Sequence, residues 1–437
     1  VQRSGEPGAD GASFFIRGVS TFSGATNPLI LLDGVAISKG DLDALAPEVI
    51  ESFSVLKDAT ATAVFGTRGA NGVLIITTKT GKDLNKPRIS ARAQSQISRP
   101  TSIPKFVDGV SYMEMFNEAV TGRGTGEILY SQDKINGTRL GLDPYVYPNV
   151  DWYNEMFKSR TINNELNLNV QGGGSKIGYF LSATGNISNG LLRKFDLNSF
   201  DNNVSVKRYS FQNNINVNLT STTKIALKLN AQLRDYYGAG VDAPSVFGDI
   251  MNANPVDFPI MFPFTGIDRR DVQYGGKAGG TVNNGFINPF ARMVNGYQNG
   301  FQSTLLTTID GAQKLDFITK GLEFKALVSF KNWSNTTTKR TSGYNQYMIN
   351  SYAPDPAGGY TYDLVMVGQP QNLSLGTETG TSGDREIYFQ PSIEYNRTFG
   401  NHTVSGLFLY NTTDFNVNNP ADLISSLPRR RQGITGR

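Results

Sequence analysis

The sequence predicts a small α+β domain over residues 1–82, followed over residues 83–437 by antiparallel β-structure with strands long enough to cross a bilayer. Three observations predict it. Along several stretches of the second part, apolar and polar residues alternate with the period of a half-buried strand. The segments between those stretches alternate between short and long. The composition suits strands and turns: 47 Gly, 26 Phe and 19 Tyr stand against 38% hydrophobic and 18% charged residues, both below globular averages.

The elements of the first domain follow in order. Ser13-Phe14-Phe15-Ile16-Arg17-Gly18 reads as a strand ending in a turn. Pro28 to Asp33 is a buried-type apolar run closed by Gly34. Pro47 opens a short helix, because its missing N–H is no loss in the first turn. Glu51 to Lys57 alternates, with Phe53 and Val55 on one face. Asp58 is expected to cap about two helical turns from Ala59 to Phe65, stopped by Gly66. Arg68 to Gly72 is turn chemistry, and Val73 to Lys79 is a strand ended by Gly81.

Asp33-Gly34-Val35, Ile50-Glu51-Ser52, Val55-Leu56-Lys57-Asp58-Ala59, Phe65-Gly66-Thr67-Arg68-Gly69-Ala70-Asn71-Gly72-Val73 and Thr77-Thr78-Lys79 occur in this order. Together they resemble the plug signature of the SusC/RagA family of TonB-dependent outer-membrane transporters of Bacteroidetes. Ile16-Arg17-Gly18 matches a motif shared by plugs generally. The resemblance covers roughly residues 5–82. It implies a plug inside a transmembrane β-barrel, import of oligosaccharides or peptides, a SusD-like surface lipoprotein and a TonB energy-coupling complex as partners, and outer-membrane lipid around the wall. The family's signal peptide, N-terminal extension and TonB box have no counterpart in these residues, so coupling through a TonB box is not argued from them.

Beyond the polar linker Asp83 to Pro87, strands are expected at Arg88–Ile97, Glu165–Gln171, Gly178–Ile187, Phe200–Val206, Asn214–Thr220, Lys224–Leu233, Ser303–Asp310, Leu322–Phe330, Ile387–Tyr395 and Thr403–Tyr410. Each is about the length of a tilted membrane strand. A lipid-facing Lys at mid-bilayer costs about 2–4 kcal/mol. Lys224 and Lys228 therefore point into the lumen or lie near an interface, with Ile225, Leu227 and Leu229 toward lipid. Asp235–Gly300 and Asn332–Glu386 read as long outer loops, whereas Asp108–Ala119 and Asp151–Phe157 read as helical or irregular. Asp151-Trp152-Tyr153 and Phe399-Gly400-Asn401-His402 resemble the family as well. Leu427 to Arg431 reads as loop.

The function classes narrow accordingly. No 18-residue apolar run offers a transmembrane helix, although a barrel's hydropathy signal is weak in any case. With no Cys and His402 as the sole histidine, a His/Cys zinc site is ruled out, while carboxylate calcium sites stay open; no cofactor is expected. A formal charge of +4 gives nucleic-acid binding no support. Gly122, Gly124 and Gly126 lack the context of a phosphate loop. No nucleophile–base pair suggests catalysis.

Arg17 and Arg68 are candidates to dock the plug on carboxylates of the barrel, with exposed loop residues as the alternative. Such pairing sets orientation more than stability. Tyr236, Tyr237, Phe262 and Tyr274 belong to an aromatic-rich loop. They either line the outer mouth and stack on substrate or form a local loop core or an interface belt. Roughly ten strands fall short of the about 22 that the resemblance implies for a plugged barrel, so part of the wall is expected from residues outside this sequence. Energised import is the leading expectation. A non-importing receptor or a secretion or surface assembly on the same fold is the alternative, and a surface hydrolase is the remoter one.

Overall fold

The computed structural model describes residues 27–58, 62–81, 86–124, 128–264, 269–279, 286–356 and 359–436, with residues 7, 16, 84 and 266 besides. The expected strand at Ser13–Gly18, including Arg17 and Gly18, lies outside the described residues apart from Ile16.

The plug is a four-stranded sheet. Strands β1 (Leu29–Leu32) and β2 (Val35–Ile37) form a hairpin, and β3 (Ile50–Leu56) and β4 (Val73–Thr78) complete the order β2-β1-β4-β3. β1 pairs parallel with β4, and the other neighbours are antiparallel. A short helix, α1 (Lys39–Asp43), follows β2, and Pro47–Val49 forms the expected helical turn. The helix expected to stop at Gly66 differs. Ala63–Gly69 is a pair of 3-10 turns with Gly66 at the kink between them (φ 56°, ψ −143°), a conformation that favours glycine. Asp58 supports this segment through its carbonyl, which accepts from Thr62 N–H at 3.0 Å.

The wall is one antiparallel ten-stranded sheet. Its strands are β5 (Arg88–Ser98), β6 (Thr161–Gly173), β7 (Ile177–Asn189), β8 (Ser205–Asn218), β9 (Thr223–Ala239), β11 (Gly296–Lys314), β12 (Leu322–Thr341), β15 (Gly376–Phe399), β16 (His402–Val417) and β17 (Arg429–Gly436). Strands neighbour one another in this sequence order, with β5 and β17 at the two edges. This is a partial barrel of up-and-down strands. Among the described residues no helix is long and apolar enough to cross a membrane.

Two expectations are corrected here. Phe200–Val206 and Asn214–Thr220 are not two strands: Ser205–Asn218 runs unbroken, and residues 200–203 are coil. The inward rank of this strand is polar where it meets the plug, which hides its continuity from a hydropathy reading. Leu427 to Arg431 is not all loop either. Arg429–Gly436 pairs with β16, and Arg430 lies 3.0 Å from Asp414 of that strand.

Alternation sorts the wall into two faces. Ile89, Leu166, Leu181, Phe211, Ile309, Val328, Ile387 and Phe408 are exposed on the outside. Asn167, Ser182, Gln212, Asn230, Thr308 and Ser329 are buried on the inside. This is the apolar-out, polar-in pattern of an outer-membrane wall.

The connections alternate as expected, short at one end and long at the other, but the described residues of the long ones form regular structure. They carry α2 (Gly109–Arg123), α3 (Gln132–Arg139), α4 (Trp152–Met156), α5 (Ala243–Asn252) and α6 (Pro289–Val294), and a small sheet of β10 (Tyr274–Gly275), β13 (Gln346–Pro354) and β14 (Tyr360–Val367). Asp108 and Asp151 cap α2 and α4. Trp152, Met156, Leu192, Ile250, Phe258 and Phe290 are buried together in a core built almost entirely from these connections, joined by Ala239 at the end of β9.

Candidate functional site

The face where the plug meets the inside of the wall gathers the motif residues and most of the buried polar side chains. It begins with a turn. Leu32 pairs with Val35, which leaves Asp33 (φ 51°) and Gly34 (φ 89°) as a two-residue hairpin loop with both φ positive. Asp-Gly is the sequence such a turn prefers. The turn aims the Asp33 carboxylate back along the sheet, where it accepts from the Thr78 N–H at 3.0 Å and the Thr78 hydroxyl at 2.5 Å. Lys228 of β9 reaches the same carboxylate at 3.4 Å and Asp310 of β11 at 3.7 Å. The Asp33 side chain is 5% exposed. Lys228 therefore faces inward, as the cost of a lipid-facing ammonium requires.

A second anchor comes from α1. Ser38 caps the helix with Asp41 in a reciprocal capping box. Asp41 also takes Lys331 of β12 at 2.5 Å, and its carbonyl accepts from Gln232 Nε2 at 3.2 Å. A third is Arg92 of β5, which bridges Glu48 of the plug at 2.5 Å and Glu165 of β6. Arg92 is half exposed, so solvent screens this pair more than the other two.

Between these anchors runs a row of amides. Gln232 donates to Asn230 at 3.0 Å, Asn230 to Gln212 at 2.8 Å, and Gln212 to Asn214 at 2.6 Å. Asn214 donates to the Thr78 hydroxyl at 2.7 Å and the Lys79 carbonyl at 2.6 Å. All four are buried, so a missing partner here would leave a desolvated amide. Gln171 holds the Thr80 carbonyl at 2.7 Å. At Gly81 a Cβ would stand 1.9 Å from the Tyr179 nitrogen, so the linker hugs the wall where only glycine fits. Apolar contact is narrower. Phe180 and Leu306 are the wall residues buried with the plug core of Ile30, Leu32, Val35, Val49 and Ile76.

The other motif residues are placed as follows. Arg68 is exposed, and its charge acts on Glu386 and Tyr388 of β15 on the inner wall. Gly69 and Gly72 close the turn before β4: Gly72 N–H donates to the Gly69 carbonyl, and Gly72 has φ 90°. Asn71 is half-buried in the same turn, while Lys57 and Asp58 are exposed at the end of β3. Lys57 borders an apolar hollow with Phe53 and Val55.

The four loop aromatics separate. Phe262 (2% exposed) and Tyr274 (5%) are buried in the loop layer, which is the local-core alternative for these residues. Tyr237 lies on the outer side of β9, opposite in rank to Lys228, where it stacks on Tyr297 and borders a cavity of about 520 Å³. Tyr236 lies on the inner rank beside Arg234.

Asp41, Glu48, Arg92, Gln212, Asn214, Asn230, Gln232 and Lys331 were not singled out by the sequence reading. Two signals point to some of them: the Ser38–Asp41 spacing of a capping box, and amides at alternate positions on two adjacent strands.

Comparisons with known proteins agree with this geometry. Residues 1–73 match the TonB-dependent Receptor Plug Domain family. The chain is 28% identical over 228 residues to TonB-dependent receptor SusC of Bacteroides thetaiotaomicron, covering 51% of this chain and 21% of that protein. It is 25% identical over 416 residues to TonB-dependent receptor P39 of Formosa agariphila, covering 93% of this chain and 33% of that protein. Among solved structures, the RagAB peptide importer in its closed-closed state superposes with a TM-score of 0.67 at 19% identity, over 99% of this chain and 48% of that one. The chain thus spans a third or less of these curated relatives and about half of that structure.

Proposed function

We propose, from the premise that this SusC/RagA-like chain is a TonB-dependent receptor of the outer membrane, that the complete protein imports large nutrients, oligosaccharides or peptides, through a barrel that the plug blocks at rest. One observation carries the reading. The plug-motif carboxylate of Asp33 is engaged at once by the plug's own β4 and by Lys228 on the inner wall.

The character of the contact suits a movable stopper. It consists mainly of hydrogen bonds and ion pairs, with a limited apolar contact in which the wall residues Phe180 and Leu306 are buried and Leu327 and Tyr388 half-buried. Exchanging such bonds for water in a hydrated lumen changes the free energy little per bond, because the net worth of each is about 0.5–1.5 kcal/mol. Directional bonds nonetheless hold one orientation. A pull on the plug would therefore shift or partly unfold it without exposing a large apolar wall, and local opening of a small sheet is a low-energy event. The TonB energy-coupling complex would supply the pull, and a SusD-like surface lipoprotein would cover the loops.

Uptake of labelled oligosaccharide and peptide pools by cells carrying the complete protein tests this. Uptake should stop when the proton gradient is collapsed, and a surface lipoprotein should co-purify. Uptake indifferent to the gradient would sink the import reading. Association with secretion components alone would favour an assembly role on the same fold.

A further inference from the structure

We infer that the cavity between α3, the segment after α5 and β13 is a binding site for a carboxylate carried on a bulky, partly apolar body. The cavity measures about 300 Å³, near the lower end of small-molecule sites. Tyr145, Phe258 and Met348 give it apolar walls, and Lys134, Asp257 and Lys277 bring charge to it. None of these residues belongs to the plug–wall contact.

The charge count is unequal. Asp257 is the carboxylate among the lining residues, its side chain is 8% exposed, and both its oxygens are committed. Oδ2 lies 2.9 Å from Lys277 Nζ, and Oδ1 accepts from the Tyr130 hydroxyl at 3.1 Å. Tyr130 is itself fixed by Asn254, whose amide donates to the hydroxyl at 2.9 Å. Asp143, nearby in the chain, is also occupied: it accepts from the Tyr362 hydroxyl and from the N–H groups of Tyr145 and Val146. Lys134 is left over the Tyr130 ring at 5.6 Å, attracted by Asp257 and repelled by Lys277.

Two ammonium groups thus share one carboxylate beside an apolar wall. Burial lowers the Lys134 pKa, Asp257 opposes that shift, and Lys277 adds to it. Among the described residues lining the cavity, Lys134 therefore has no carboxylate of its own. An entering carboxylate restores the balance where screening by salt is weak. A neutral ligand of the same shape leaves Lys134 desolvated and unpaired, which is a strong basis for rejection. A peptide terminus or acidic side chain and a hexuronate ring share this chemistry. That the ligand is cargo rests on the import reading; the site itself does not.

Calorimetry on the complete protein in detergent tests the site with two matched pairs. The probes are an N-acetylated tyrosyl dipeptide as free acid and as amide, and a digalacturonate as free acid and as methyl ester. In at least one pair the acid should bind about tenfold or more tighter than its neutral partner, in line with charge-assisted hydrogen bonding. The pair that responds identifies the source. Lys134→Met should remove the preference, weakening the acid and tightening its neutral partner because no desolvated ammonium is left, and Lys134→Arg should retain it. Equal binding of acid and neutral forms, no binding by any probe, or a preference that survives Lys134→Met would overturn the assignment. Because binding needs no energy coupling, an acid preference without energised uptake counts against import alone. Energised uptake without an acid preference counts against this site alone.

Discussion

The inner wall meets the rest of the chain in two chemically opposite ways. Against the plug it presents Lys228, Lys331, Asn214 and Gln232, each hydrogen-bonded or paired with a plug residue. At the loop end, the connections fold around Trp152, Met156, Phe258 and Phe290, with aromatic contacts such as Phe195 to Phe290 at 4.7 Å. Apolar cores lose free energy steeply when opened to water, whereas buried polar contacts can exchange partners with it. One region is suited to staying closed and the other to being parted and remade.

That contrast can be broken or sharpened by mutation. The largest effect is expected at Phe290, which is fully buried in the loop core. Phe290→Ala should cost about 3–5 kcal/mol. Hydrogen exchange should then quicken in α4, α5 and α6 while β1 and β4 keep their protection. Quickening in all of them together would show that loops and plug are one cooperative unit.

Lys228→Met is expected next, at about 3 kcal/mol, because it strands the buried Asp33 carboxylate without its cation. Exchange at Leu29–Leu32 reads it. The double change with Asp33→Asn should be milder than the two single losses summed. Strict additivity would mean that the pair does not fasten the plug.

Gly81→Ala should cost about 1–3 kcal/mol, since a Cβ there runs into the backbone at Tyr179 and the linker must lift away. Faster proteolysis around residues 79–87 is the expected sign, and an unchanged cleavage rate would contradict the close approach.

Ser38→Ala removes the cap of α1 and should cost about 1 kcal/mol. It also loosens Asp41, so exchange at α1 should rise more than at β3.

The smallest effect concerns acid. Asp108 caps α2, and its bonds to Ser111 hold its pKa below 3.8. A carboxyl with a depressed folded pKa stabilises above its unfolded value and loses that contribution as pH falls through the folded one. The α2 terminus should therefore fray only below about pH 4. Fraying near neutrality would point to another group.

Much of the architecture was legible because it is local. Eight of the ten strands follow from period-two alternation, and the Pro47 turn from proline's missing N–H in a first helical turn, whereas β2 and the Asp33-Gly34 hairpin did not emerge beyond an apolar run closed by Gly34. Legibility failed where the environment reverses the usual pattern. Ser205–Asn218 looked like two strands because Arg208, Ser210 and Gln212 face a polar stopper and not an apolar core. Arg429–Gly436 looked like loop because its start, Arg429-Arg430-Arg431, carries charge at three successive positions and so hides the period-two alternation. For the candidate site, Asp33 was visible through the plug motif, whereas its hairpin turn, Asp41, Glu48 and the amide row were not.

By itself, then, the sequence determined the alternation of most strands, the short and long connections between them and, through the energetic penalty on a lipid-facing ammonium, that Lys228 points into the lumen or lies near an interface. Only the tertiary structure decided that Lys228 meets Asp33, that Lys331 meets Asp41, and that segments far apart in the chain, such as Trp152, Leu192 and Phe290, share one core. Turns and alternation depend on backbone geometry within a few residues. Those pairings join side chains nearly two hundred residues or more apart, and only the continuous register of neighbouring wall strands, curved around the plug, sets them at hydrogen-bonding distance.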